Sequence, residues 1–247
     1  MLAVIGGSGL SQLANLDVSH REVLRTPYGE PSGAVTLGQI CGRPVAFLAR
    51  HGYGHTIPPH EVNYRANIWA LAKRGAVGII AVSAVGSIRP DLQPGNIVIP
   101  DQIIDYTWGR KSTYHEGPES TLTHIDFTEP YDRFLRERLI AAAKAASIAI
   151  STSAVYAVTQ GPRLETAAEV NRLERDGADV IGMTGMPEAA LAREMDVPYA
   201  AISVVSNHAA GRADSRTGIS FESIQGVLHE SMEHVRTLLE HLAGCGD

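Results

Sequence analysis

Residues 77–87 read VGIIAVSAVGS. The run is almost wholly apolar and rich in β-branched side chains, the pattern of a central strand buried on both faces. Such a strand needs helices on both sides of its sheet, and the flanking sequence supplies them. Upstream, NYRANIWALAKRGA (63–76) predicts a helix closed by Gly75. Downstream, GNIVIPDQIID (95–105) predicts another strand. Further out the alternation continues, with helix 131–146, strand 154–159, helix 166–177, strand 178–183, helix 187–195 and strand 199–206. A C-terminal segment, 220–242, places Phe221, Ile224, Leu228, Val235, Leu238, Leu239 and Leu242 on one helical face. Without repeats, low-complexity stretches or an obvious linker, residues 1–247 read as a single α/β sandwich domain.

Bulk properties exclude several function classes. The 247 residues carry a formal charge of -6 and no Lys/Arg cluster, so neither a nucleic-acid nor a membrane-surface footprint is present. The apolar start, Leu2 to Ile5, is too short for a signal-peptide core and lacks a basic flank. No run approaches the roughly eighteen apolar residues that span a bilayer. Cys41 and Cys245 lie near opposite ends with no metal or redox spacing, and a reducing cytoplasm is the expected location.

The loops that follow the strands carry the chemistry. They read GGSG (6–9), ARHG (49–52), SAVGS (83–87), TQGPRLET (159–166), GMTGMPE (182–188) and SNHAAG (206–211). Glycine-rich GGSG reads either as a tight turn or as a cradle whose bare N–H groups hold an anion. A Rossmann fingerprint is ruled out because Gln12 stands where its third Gly belongs, and a P-loop because no Gly-Lys-Ser/Thr follows. Together the loops pool small hydroxyls with Arg, His, Glu and Met side chains and one Asn, a set suited to a phosphate beside an aromatic, hydrogen-bonding ligand. His51, His55 and His60 do not make a metal site. Pro58 and Pro59 deny them a shared helix face, and HEVNY breaks the zinc-protease pattern.

Seven stretches recur in the order of a known family: IGGSGL, TPYGEPS, LARHG with HTIPPHEVNYRANIWAL, VSAVGSI with QPGNIVIPDQIID, QGPRLETAAE, GADVIGMTGMPEAALA and YAAISVVSN. On these the chain resembles the methylthioadenosine phosphorylase branch of the trimeric purine nucleoside phosphorylases, from residue 4 to about 207. The resemblance implies a three-layer α/β/α sandwich with a central mixed, partly barrel-like sheet. It implies reversible phosphorolysis, with inorganic phosphate as co-substrate and no metal or organic cofactor. Carried over by position, Ser8, Arg50, His51, Ser83, Thr184 and the Ala84 N–H are the expected phosphate ligands. Met183, Glu165, Asn207, His208, Ala209, Ile219 and Phe221 are the expected nucleoside contacts, and Ser8, His51 and Asn207 the expected catalytic residues. His124 matches a position that reaches the neighbouring subunit's site, so a homotrimer with active sites at subunit interfaces is expected.

The departures from the family pattern are informative. Enzymes that cleave methylthioadenosine carry T-D-x-D after the last long strand and Phe-Ser-Ser after Gly-Pro-Arg. Here the corresponding residues are Ser206-Asn207-His208-Ala209 and Leu164-Glu165-Thr166, and Gly182 stands where an Asn is usual. An ionised Asp only accepts and suits a 6-amino group, whereas an Asn amide both donates and accepts. Asn207 with Glu165 therefore suits hypoxanthine, which offers a 6-oxo acceptor and an N1–H donor. Two plainer roles remain open, Glu165 as a cap of the following helix and Asn207 as a turn residue. At the sugar end Phe221, with Ile219 and Ile224, replaces a polar contact and favours a 5′-methylthio group, although Phe221 also fits the helix's core stripe. The expected reaction is phosphorolysis of 5′-methylthioinosine. Methylthioadenosine or inosine/guanosine phosphorolysis are the alternatives, and a non-catalytic nucleoside-binding protein is the reading of another class.

Overall fold

The fold is described from a computed structural model, which covers residues 1–117, 121 and 123–245. The stretch 77–87 forms β5 (Gly78–Ser87), the strand around which the sheet is organised. Along one edge β5 pairs in parallel with β11 (Tyr199–His208) from Ile79 to Ser87. Its other edge is shared. β1 (Leu2–Gly6) pairs in parallel with residues 78–81, and β10 (Val180–Gly182) pairs antiparallel with Gly86 and Ser87. Among the described residues, 82–85 have no strand neighbour on that edge.

From β1 the sheet runs outward through β4 (Arg43–Ala49), β3 (Val35–Ile40) and β2 (Asp17–Glu22). From β10 it runs through β9 (Val155–Val158) to β7 (Gln102–Asp105), three parallel neighbours. β6 (Ile97–Val98) and β8 (Ile150–Ser151) extend the sheet from β11. It is a mixed sheet of eleven strands.

Alternation along β1, β5 and β11 divides the core into two layers. Ala3, Ile5, Ile79, Ala81 and Ala201 pack with Ile68 and Leu71 of α1 (Tyr64–Lys73) and Leu191 of α4 (Glu188–Glu194). Val4, Ile80, Val82, Ala200 and Ile202 pack on the opposite face with Leu135 and Leu139 of α2 (Arg133–Ala145) and Leu228, Val235 and Leu239 of α5 (Phe221–Ala243). A smaller cluster joins Ala157, Ile181 and Ala209 to Val170 and Leu173 of α3 (Ala167–Arg175). Each fully buried Ile or Leu contributes about 1.5–3 kcal/mol relative to an exposed one, so the two long layers dominate the stability.

The sequence reading differs from the structure in three places. The strand expected over 95–105 is two short strands, β6 and β7, with Pro100 between them, since proline cannot donate to a ladder. The β2–β3 hairpin escaped the periodicity because DVSHRE is polar and largely exposed, as edge strands tend to be. Cys41 and Cys245, given no reason to meet by their spacing, form a disulfide with Cα atoms 5.7 Å apart. The turn between β3 and β4 lies against the end of α5.

Candidate active site

A cavity of about 470 Å³ opens where β5 lacks a neighbour, and Ser83, Ala84 and Val85 form its floor. Its anion end is built from loops leaving β1 and β4. Gly6 and Gly7 must be glycines. A Cβ on Gly6 would lie 2.0 Å from the Leu10 carbonyl oxygen, and one on Gly7 would lie 2.6 Å from the Val82 oxygen and 2.7 Å from Arg50 Nη1. The glycine-rich opening thus lets the main chain close on a buried guanidinium.

Arg50 is 1% exposed and Glu188, at the first turn of α4, is 0% exposed. Arg50 Nε and Nη2 each donate to the Glu188 carboxylate at 2.8 Å, and Nη1 donates to the Val82 carbonyl at 2.9 Å. Glu188 accepts a further bond from Tyr199 at 2.8 Å. Burial alone would lower the Arg50 pKa, but the Glu188 charge and its hydrogen bonds raise it well above the ordinary value, so Arg50 stays charged. Three of its five N–H groups are occupied, and two remain on a residue that lines the cavity.

Around that fork stand the other expected anion ligands, Ser8, His51, Ser83 and Thr184, all on the cavity wall. Main-chain groups alternate edges along a strand, so the Ala84 N–H faces the same gap as the Val82 carbonyl. Ser83 Oγ lies 3.2 Å from Ser203 Oγ, and Ser8 Oγ lies 3.4 Å from His55 Nε2. His51 Nδ1 is 2.7 Å from the Ile57 carbonyl, which can only accept, so Nδ1 carries the proton. Burial, then Arg50, pushes the His51 pKa down to about 4, and burial lowers that of His55. His51 is therefore neutral at pH 7, with Nε2 bare.

The opposite end gathers Met183, Glu165, Asn207 and Ala209 on the same wall. Glu165 does not cap α3. That role falls to Thr166 and Glu169 in a reciprocal capping box, while Glu165 Oε1 accepts from Thr159 Oγ1 at 2.6 Å. Asn207 lies within β11 rather than in a turn. Its Nδ2 donates to the His208 carbonyl at 2.7 Å and its Oδ1 accepts from Ser206 Oγ at 2.8 Å. Because the carbonyl fixes which end is nitrogen, the amide keeps one N–H and one lone pair for a ligand.

One expected contact does not reach this cavity, and His124, expected at a neighbouring subunit's site, is not part of it either. His208 is buried outside the cavity lining, its Nδ1 3.1 Å from Ser87 Oγ. The strand register shifts between Val205 and Asn207, so Ser206 and Asn207 both line the cavity while the His208 imidazole is spent on Ser87. His124 is exposed and stands apart from this chain's cavity. Ile219, Phe221, Ile224 and Leu228 close the third side, with Phe221 still 67% exposed. Among the described residues, no group of three His, Cys, Asp or Glu side chains is arranged to hold a metal ion.

Sequence reasoning missed Glu188 and His55. Glu188 reads as an ordinary acidic residue at a helix start, and only the fold shows that its carboxylate meets Arg50. His55 entered solely as a rejected metal ligand.

The model of the phosphorylase superfamily matches residues 1–243. A probable S-methyl-5′-thioinosine phosphorylase of Pseudomonas syringae pv. tomato is 51% identical over 96% of each chain. A 6-oxopurine nucleoside phosphorylase of Pyrococcus furiosus is 43% identical over 100% of this chain and 96% of its own. Among solved structures, methylthioadenosine phosphorylase from Schistosoma mansoni in complex with adenine superposes with a TM-score of 0.94 at 32% identity, over 98% of this chain and 90% of that one. The matched span takes in every element that forms the cavity, and the chain belongs to the phosphorylase superfamily.

Proposed function

We propose that the chain catalyses phosphorolysis of S-methyl-5′-thioinosine, giving hypoxanthine and 5-(methylthio)ribose 1-phosphate. The reading is carried by one observation: the Asn207 amide and the Glu165 carboxylate share a cavity wall with Met183. The free Asn207 N–H donates to the 6-oxo oxygen, and its free lone pair accepts from N7–H as the base departs. Glu165 accepts from N1–H. A 6-amino purine would leave these groups mispaired at about 1–3 kcal/mol each. The names of the relatives from Pseudomonas syringae and Pyrococcus furiosus point the same way.

At the anion end, Arg50, Ser8, Ser83, Thr184 and the Ala84 N–H donate to inorganic phosphate, and the bare His51 Nε2 accepts from a phosphate hydroxyl. Breaking the glycosidic bond builds positive charge on the sugar. A phosphate fixed beneath C1′ is both nucleophile and counter-charge, so catalysis is mainly positioning and electrostatics. No organic cofactor enters the reaction.

Phe221, Ile219 and Ile224 would take the 5′-methylthio group. The exposure of Phe221 also favours a second reading, an inosine or guanosine phosphorylase, since an open sugar end admits a 5′-hydroxyl. A homotrimer in which His124 closes a neighbouring site is part of the proposal. Action in the cytoplasm also belongs to it, and the Cys41–Cys245 bridge counts against that part, because a reducing compartment disfavours disulfides. Among the described residues no helix is long and apolar enough to cross a membrane. Turnover with phosphate of methylthioinosine, methylthioadenosine and inosine in turn tests the proposal. Fastest cleavage of methylthioadenosine would end it.

A further inference from the structure

β7, β9 and β10 are parallel neighbours, so the loops leaving their C-terminal ends share one rim. Two of those loops carry the purine end: residues 159–166 bring Glu165, and residues 183–187 bring Met183. They meet where a Cβ on Gly161 would lie 2.4 Å from Met183 Sδ. The third loop, after β7, carries Arg110, a residue outside the cavity lining.

Arg110 is half-buried and, among the described residues, has no carboxylate partner within ion-pair distance. Its guanidinium is spent on main-chain oxygens of both purine loops. Nη1 donates to the carbonyls of Met183, at 2.8 Å, and Met186. Nη2 donates to the carbonyls of Gln160, at 2.9 Å, and Thr159, at 3.3 Å, and Nε donates to Gln160 Oε1 at 3.2 Å. The plane lies 5.4 Å over the Tyr64 ring, which fixes its tilt. A planar fork of donors joins two loops at a set angle and spacing, which a single point charge cannot do.

We infer that Arg110 is a positioning residue for purine recognition, clasping the two loops so that Met183 and Glu165 stand at the correct separation without itself touching the ligand. The inference rests on the purine-end assignment made under the proposed function. It makes a graded demand, because the clasped loop 183–187 carries one of the six expected phosphate ligands, Thr184, while the other five lie on segments that Arg110 does not bond. Its loss should loosen nucleoside binding strongly and phosphate binding only slightly.

The test is steady-state kinetics of Arg110→Met and Arg110→Lys with nucleoside and phosphate varied separately. Arg110→Met is expected to raise KM for the nucleoside roughly ten- to a hundred-fold and to compress the ratio of 6-oxo to 6-amino substrate turnover by a similar factor. KM for phosphate should rise by no more than about threefold, through Thr184 alone. Arg110→Lys keeps the charge and some carbonyl bonds, so it should fall between; if the Met variant does not fold, Lys alone is judged by the same split. Parallel rises in both KM values, or unchanged KM values and ratio, would overturn the inference. If the wild-type chain prefers a nucleoside other than methylthioinosine, the function reading fails separately, and the KM split is measured on that nucleoside.

Discussion

The two ends of the cavity are built in opposite ways. At the anion end, the charged centre is fixed deep in the fold: Arg50 by a two-pronged bond to Glu188, Glu188 by Tyr199, and the loop itself by glycines that nothing larger can replace. At the purine end, Asn207 and Glu165 are only half-buried, each held by bonds to nearby residues of its own segment. The anion end is over-determined and resists change. The purine end can be altered one residue at a time, and specificity between related nucleosides can be set there without disturbing the rest.

If this contrast holds, Glu188→Ala should do the most damage. It strands a buried guanidinium, so urea unfolding should show a loss of about 3–5 kcal/mol together with near-complete loss of phosphorolysis. A mild effect would mean that Arg50 finds another partner and the anion end is less rigid than its geometry implies. Next comes pH. His51 is held neutral in the folded chain, with its pKa down to about 4, whereas the unfolded residue takes up a proton near 6.5. The resulting stability is fully present above pH 6.5 and is lost as pH falls toward 4, on the order of 3 kcal/mol. His51→Asn should therefore lose less stability than wild type between pH 7 and pH 4.5 in the same unfolding assay.

The purine end should respond without unfolding. Asn207→Asp is expected to cut the 6-oxo to 6-amino preference, measured as a ratio of kcat/KM values, by about ten- to a hundred-fold. Its melting temperature should barely move. The smallest effect belongs to the open rim: Phe221→His should raise inosine turnover relative to its methylthio analogue by about fourfold, the worth of one methylene-sized contact. Equal ratios before and after would remove Phe221 from the sugar pocket.

Much of this was legible in the chain itself. Apolar runs such as 77–87 and 199–206 gave the central strands because a strand covered on both faces has no polar alternation to obscure it. The loops after those strands named most of the cavity wall. What stayed hidden depends on distance or on phase. Glu188 lies 138 positions from Arg50, and nothing local marks the pairing. His208 entered with its motif as a block, and nothing local shows that its imidazole turns to Ser87, 121 positions away, rather than to the cavity. The opening in the sheet beside residues 82–85 arises from which strands flank β5, a property of topology that no local pattern encodes.

The sulfur bridge between Cys41 and Cys245 has a consequence for how the molecule comes apart. It joins positions 204 residues apart, turning most of the polypeptide into a covalent ring and leaving the segment from β1 to β3 outside it. A protease that nicks any surface segment inside that ring linearises the backbone yet releases no fragment. The two pieces should migrate together until a thiol reductant is added, and only then separate.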